Sequence, residues 1–280
     1  MRYAIIADIH GNLEGLQRVL ADIQEQKCTH VVCLGDVVGY GANPKECLDI
    51  VRGMNIPTVK GNHDEYIGLD EDPEGFNDAA AEAVAWSRAQ LTADDRKWLR
   101  DLKYFRLVAN FSIVHATLDG PQRWGYVFEK LEAAASFTYQ NTQLCFFGHT
   151  HVPVAFIRDT GVRGGQYSKL KIEPGRKYFI NVGSVGQPRD GDPRAAYVVY
   201  DVRLRPWSCV VWSTISPRPR RKFWPRVCRL DWLNAWRLVA EVPVSQWNRS
   251  SRGHRGNRKT LDLGGGFGSC VPLIGCTALL

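Results

Sequence analysis

The stretch RYAIIADIHGNLEGLQRVLADIQEQ, residues 2–26, opens on a short apolar run rich in β formers that ends at a carboxylate, Asp8. A buried strand is expected there. Beyond it Leu13, Leu16, Val19, Leu20 and Ile23 recur at the helical period, with Asn12 placed to cap the helix. The same order returns in THVVCLGD and NPKECLDIVRGM, where Asn43 and Pro44 open the helix. PTVKGNHD is expected as a third strand ending in polar residues. Repeated units of strand, polar loop and helix predict an α/β architecture with functional groups gathered at the carboxyl ends of the strands.

Two helical segments follow, FNDAAAEAVAWSRAQL and TADDRKWLRDL, expected to pack as an αα pair with Thr92 capping the second. From Lys103 the pattern turns to strands: FSIVHA, QLCFFGHTHVPVAFI, KYFINVGSVG and AAYVVYDV, with VFEKLEAAASF as a helix among them. The second half is therefore expected to carry its own sheet. A chain of 280 residues with 44% hydrophobic residues suits a globular core. It holds no apolar run of membrane-spanning length, and MRYAIIADIHGN carries no cleavable leader, which predicts a cytoplasmic protein. Cys28, Cys33, Cys47 and Cys145 lie in helix and strand patterns without close CxxC pairs, and read as reduced core thiols.

The net charge of +7 conceals a division near Val202. Residues 1–202 hold 22 Lys and Arg against 26 Asp and Glu, whereas residues 203–280 hold 14 against 3 and six of the nine tryptophans. Residues 1–202 are thus read as one domain and 203–280 as a basic Trp/Arg/Pro-rich tail. The tail has two readings. One is a nucleic-acid arm whose aromatics stack bases. The other, which explains more, is a shifted reading frame, because Ile215 to Arg237 back-translates in another register to an amphipathic helix; such a tail would be disordered or badly packed. Nucleic acid is a partner only if the tail is genuine.

The polar residues that end the buried strands are Asp8 and His10, Asp36, Asn62 with His63 and Asp64, His115, and His149 with His151. All are metal-ligand types. In extended chain, residues i and i+2 point to one side roughly 6–7 Å apart, so Asp8/His10 and His149/His151 can each present two groups to one cavity. Two divalent ions need a bridging ligand, and the carboxylate of Asp36 suits that place. Carboxylate, imidazole and amide without thiolate suit Mn²⁺, Fe, Zn²⁺, Co²⁺ or Ni²⁺ and disfavour Ca²⁺ or a Cys-based structural zinc site. The loop NVGSVGQPRDG adds glycines that let backbone N–H groups converge, and Arg189, which either meets a phosphate or faces water.

In that order, DIHGN, GDVVGYG, GNHDE, VHA and GHTH resemble the blocks of the calcineurin-like metallophosphoesterases, over about residues 2–202. The resemblance implies a four-layer α/β/β/α sandwich of two mixed sheets with a dimetal site at the strand ends. It implies one ion, Mn²⁺ favoured, on Asp8, His10, Asp36 and His151, and a second on Asp36, Asn62, His115 and His149. The expected reaction is hydrolysis of a small phosphodiester or phosphomonoester by a metal-bridging hydroxide, with His63 as general acid. A nucleotide or dinucleoside polyphosphate is the alternative substrate, and a nuclease using the tail a further one. The Ser/Thr protein phosphatases of this superfamily carry Asp-Arg-Gly where this chain has Gly39, Tyr40 and Gly41, so the small bacterial phosphodiesterase-like branch fits better. Asp64 is a weak candidate to orient His63. Oligomeric state is left open.

Overall fold

A computed structural model describes residues 1–69, 78–202 and 209–215. Strand β1 (Arg2–Ile6) leads through a polar loop into α1 (Leu13–Glu25), where the Asn12 side chain accepts the Gly15 N–H as expected of a cap. Strand β2 (His30–Cys33) and α2 (Pro44–Gly53) repeat the unit, although Asn43 turns its amide to Glu46 instead of capping. The expected third strand does not form. Thr58 and Val59 make only single bridges, to Cys33 and Lys103, because Gly61 turns the chain straight into a short helix, α3 (Asn62–Gly68).

Helices α4 (Asp78–Gln90) and α5 (Ala93–Asp101) pack chiefly on α3, not as a pair on each other. Arg88 donates to the Tyr66 carbonyl and Arg100 to the Gly68 carbonyl, and Gly68 leaves room for the Arg100 stem. Thr92 caps α5 as expected, and Asp95 returns the bond to the Thr92 N–H.

The chain continues through β3 (Phe105–Val108), β4 (Phe111–Val114), α6 (Lys130–Tyr139), β5 (Leu144–Phe147), β6 (Ala155–Arg158), β7 (Val162–Gly165), β8 (Lys169–Ile172), β9 (Lys177–Asn181), β10 (Ala196–Asp201) and β11 (Cys209–Ile215). Two mixed sheets result, one ordered β2-β1-β10-β11-β8 and the other β3-β4-β5-β9-β6-β7. β1 and β2 run parallel in the first; β4, β5 and β9 run parallel in the second. The first sheet reaches beyond the boundary expected at Val202, since CVVWSTI is rich in β formers and pairs with both β10 and β8. The remainder of the expected tail, 203–208 and 216–280, lies outside the described residues.

Side-chain alternation builds the layers. Tyr3 and Ile5 of β1 and Val198 and Tyr200 of β10 meet Phe111, Phe146 and Ile180 between the sheets. Ala4, Ile6, Tyr197 and Val199 face the opposite way, onto Leu16, Val19 and Leu48 of the helices. On the outer face of the second sheet, Phe147 and Phe179 stack at 4.0 Å and 9° beside Ala133 and Phe137 of α6. Helix, sheet, sheet and helix therefore form the expected sandwich. Burying each of these aromatics is worth about 1.5–3 kcal/mol, which fixes the strand ends where the polar residues emerge. Cys33, Cys47 and Cys145 are buried in this framework. No helix among the described residues is long and apolar enough to cross a membrane.

Candidate metal centre

Asp8 follows β1, Asp36 follows β2, His115 follows β4, and His149 and His151 follow β5, so the parallel strands deliver them to one place. The pairs are not extended as their spacing suggested. Asp8, His10, Asp36, His149 and His151 all adopt positive φ, between 48° and 66°. Each costs of order 1–3 kcal/mol and persists only because the surroundings hold it. Asp8 N–H donates to the Gly35 carbonyl, His10 N–H to the Asp36 carbonyl, and the Asp8 carbonyl receives Ser184 Oγ and Gly186 N–H. These kinks turn each side chain inward where an extended strand would carry it past.

Two groups of ligand atoms result, Asp8, His10, Asp36 and His151 in one and Asp36, His115 and His149 in the other. Within each the atoms lie within 4.8 Å of one another, every residue is buried, and Asp36 belongs to both. Asn62, the remaining expected ligand, opens α3 beside Asp36; its Oδ1 is buried with no hydrogen-bond partner among the described residues.

The imidazoles are held in ligand-ready tautomers. His10 Nδ1 faces the Val38 carbonyl, His115 Nδ1 the Leu34 carbonyl at 2.7 Å, and His151 Nδ1 the Gln187 carbonyl at 2.6 Å. A carbonyl only accepts, so in all three Nδ1 carries a hydrogen and Nε2 is the nitrogen turned to the centre, its lone pair free whenever the ring is neutral. His149 is reversed: its Nε2 donates to the Trp124 carbonyl at 3.0 Å, leaving Nδ1 as donor atom. His10 Nε2 and His151 Nε2 stand 3.1 Å apart. Two lone pairs at that distance repel unless a cation lies between them, and with the orphan Asn62 oxygen this shows that the residues fit divalent ions.

Comparison with known proteins agrees. The family model described as the calcineurin-like phosphoesterase superfamily domain matches residues 1–204. The chain belongs to the calcineurin-like phosphoesterase superfamily. It is a phosphoric ester hydrolase. A metallophosphoesterase from Sphaerobacter thermophilus is 32% identical, with a TM-score of 0.65 over 88% of this chain and 96% of that one. An uncharacterized protein of Methanocaldococcus jannaschii is 35% identical over 71% of this chain and 82% of its own length. A hypothetical protein of Pyrococcus horikoshii, 16% identical, shares the fold at a TM-score of 0.63 over 79% of this chain and 89% of its own.

Electrostatics of this phosphoesterase centre divide its histidines. Burial pulls His115 down, but Asp36 and Asp8 outweigh it and raise the ring to about 9, with His115 Nε2 3.3 Å from Asp36 Oδ2. Burial alone would raise Asp36, yet His115, His63 and His10 hold it well below the usual carboxylate range. Burial keeps His10, His149 and His151 below their ordinary value and therefore neutral. His115 must surrender its proton before its Nε2 can coordinate. Loading the chain with Mn²⁺ at pH 8 is accordingly expected to release about one proton, a release that disappears as pH rises through 9. Calorimetry in buffers of different ionisation enthalpy reads it; no release at pH 8 would remove His115 from the ligand set.

His63 lies against the cluster without joining it. Its ring is 4.9 Å from that of His10 and 4.5 Å from that of Tyr40, and burial lowers it to about 4 despite Asp36. Gly39, at φ +94°, is required there: a Cβ would stand 2.6 Å from His63 Nδ1. Asp64 does not orient His63. Its carboxylate instead accepts the N–H groups of Asp36, Val37, Val38 and Gly61 and staples the two loops together.

The NVGS loop braces the centre. The Val185 and Gly186 N–H groups go to the carbonyls of Ala7 and Asp8, and the Gln187 N–H to Ser184 Oγ, so they do not converge on a ligand as the glycines suggested. Asn181 is fully buried; its amide donates to the Gly148 carbonyl and Thr150 Oγ1, and its oxygen takes the Gly183 N–H. Asn181→Ala should cost about 2–4 kcal/mol in denaturant titration, since several buried groups lose their partners at once; a loss under about 1 kcal/mol would mean that the loop stands without it. Arg189 is half-buried, bonded to Gln187 Oε1 at 2.7 Å and lying beside the Tyr40 and Tyr126 hydroxyls. Tyr126, whose ring stacks on His149, gave no sequence signal, because it belongs to no motif block.

Proposed function

We propose that the chain is a dimetal phosphoesterase acting on a small phosphodiester or phosphomonoester, with Asp8, His10, Asp36 and His151 holding one ion and Asp36, Asn62, His115 and His149 the other. The observation that carries this reading is the pair of buried ligand groups sharing Asp36. Two divalent ions there, Mn²⁺ for preference, would supply a nucleophilic water near neutral pH and positive charge against the phosphoryl oxygens.

The protein's own groups do the rest. Asp64 and the NVGS loop fix the ligand loops before substrate arrives, which is the preorganisation that phosphoryl transfer depends on. His63, adjacent to ligand Asn62 and walled by Tyr40, is read as the proton donor to the leaving oxygen. It is neutral in the resting site; phosphoryl charge entering beside it raises its affinity for a proton. Arg189, with the hydroxyls of Tyr40 and Tyr126, faces the substrate's phosphoryl oxygens. The nuclease reading rests on residues outside those described and has no observation in its favour.

Hydrolysis of bis(p-nitrophenyl) phosphate, p-nitrophenyl phosphate, a dinucleoside polyphosphate and single-stranded DNA, each with Mn²⁺, tests the proposal. Turnover of at least one small ester, abolished by chelation and restored by Mn²⁺, is expected. Two bound metal equivalents with no turnover on any of the four would overturn it.

A further inference from the structure

Between β4 and α6 the chain passes beside His115 and His149 as a strap, residues 117–127, that carries none of the candidate ligands itself. Both of its ends are anchored. Thr117 Oγ1 lies 2.7 Å from Ser136 Oγ of α6, which also takes the Leu118 N–H, and Val127 is buried. Between these anchors Gly120, at φ 67°, and a single 3₁₀ turn, Pro121–Arg123, lead to Trp124 at φ 53° and ψ 40°. A bulky aromatic rarely adopts that left-handed backbone, and it persists only where the surroundings hold it. Here two rings do so: the indole stands 5.9 Å from His115 at 77° and 5.7 Å from Tyr104 at 51°. The carbonyl of the residue so held receives His149 Nε2 at 3.0 Å, and two residues further on Tyr126 stacks on the same imidazole at 4.3 Å.

His115 and His149 belong to one ligand group and not to the other. His10 and His151, in the other group, are oriented instead by the carbonyls of Val38 and Gln187. We propose that Trp124 is a positioning residue for one ion of the pair alone: its indole, packed on His115 and Tyr104, sets the carbonyl that keeps His149 with Nδ1 turned to the centre. The inference rests on the proposed dimetal reading and goes beyond it, because it makes the two ions unequal. One is held by imidazoles fixed from loops that carry or brace ligands; the other depends on a strap whose outer residues, Gln122 and Arg123, are exposed. The partner behind a metal-binding imidazole is worth about 10–100-fold in metal affinity, so loosening the strap should cost that much at one site and little at the other.

The test is Mn²⁺ binding to the metal-stripped full chain, read from the paramagnetic resonance of the free ion. Trp124→Gly keeps a residue that accepts the left-handed backbone but removes the ring. With an unchanged circular dichroism spectrum, one of its two equivalents is expected to bind about tenfold or more weakly and the other within about twofold of the wild-type chain. Trp124→Phe, which keeps a ring against His115 and Tyr104, should leave both within about threefold. Equal weakening of both ions in Trp124→Gly, no weakening of either, or a Trp124→Phe chain that behaves as Trp124→Gly does overturns the proposal. Should the wild-type chain bind fewer than two ions, the dimetal reading fails instead, and the tautomer of His149 decides the role of Trp124. In long-range ¹H–¹⁵N spectra of the metal-free chain, assigned with His149→Gln, the wild-type ring should carry its hydrogen on Nε2 and lose that preference in Trp124→Gly. A tautomer that survives the substitution overturns the positioning role.

Discussion

Asp36→Asn is expected to lower kcat/KM about 10³-fold or more while the chain stays folded. Asp36 belongs to both ligand groups, so on the proposed dimetal reading its loss would remove charge from both ions at once, an effect worth several kcal/mol. The substitution is informative because it keeps shape. Asp36 Oδ1 accepts the His63 N–H at 2.9 Å, and the asparagine oxygen can keep that bond. The new amide NH₂ then replaces Oδ2, 3.3 Å from His115 Nε2, and donates to the lone pair that coordination needs. Metal content read by elemental analysis should drop below two equivalents, with an unchanged circular dichroism spectrum. Near-normal turnover with two ions bound would show that Asp36 does not bridge.

His63→Ala should depend on the leaving group. For an alkyl ester the leaving oxygen needs a proton, and losing a general acid costs about 10²–10⁴-fold. A p-nitrophenyl ester leaves as a stable phenolate, so its rate should fall far less. His63→Asn, which fills more of the space beside Tyr40 without supplying the same proton, should follow His63→Ala. In each variant metal stoichiometry should remain two. An equal loss on both esters would make His63 a packing residue, and loss of metal would make it a ligand.

Much of this centre is legible in the sequence, and the exceptions have definite causes. The strands before Asp8, Asp36, His115 and His149 are apolar runs with abrupt polar ends, and such ends mark candidate ligands because few other reasons place carboxylate and imidazole together at a buried strand terminus. The backbone there is not extended as the spacing suggests, since left-handed conformations of Asp and His leave no compositional trace; they are held by tertiary bonds, among them Asp8 N–H to the Gly35 carbonyl, His10 N–H to the Asp36 carbonyl, His149 N–H to the Asp8 carboxylate, and Ser184 Oγ and Gly186 N–H to the Asp8 carbonyl. PTVKGNHD looked like a strand because Pro57 to Val59 are β-compatible, but Gly61 starts α3 before a ladder can form. β8 and β11 leave little trace in the sequence for different reasons: KLKI is short and half charged, and CVVWSTI sits beyond a change of composition. Tyr126 and Phe128 lie in an irregular segment, where periodicity says nothing about which ring approaches His149.

Crystals of the full chain grown with Mn²⁺ and measured at the manganese absorption edge test the central claim most directly. Two anomalous peaks about 3.5–4 Å apart are expected, both within bonding distance of the Asp36 carboxylate, one also touching His10 and His151 and the other His115 and His149. A single peak, or peaks away from Asp36, would contradict the dimetal account.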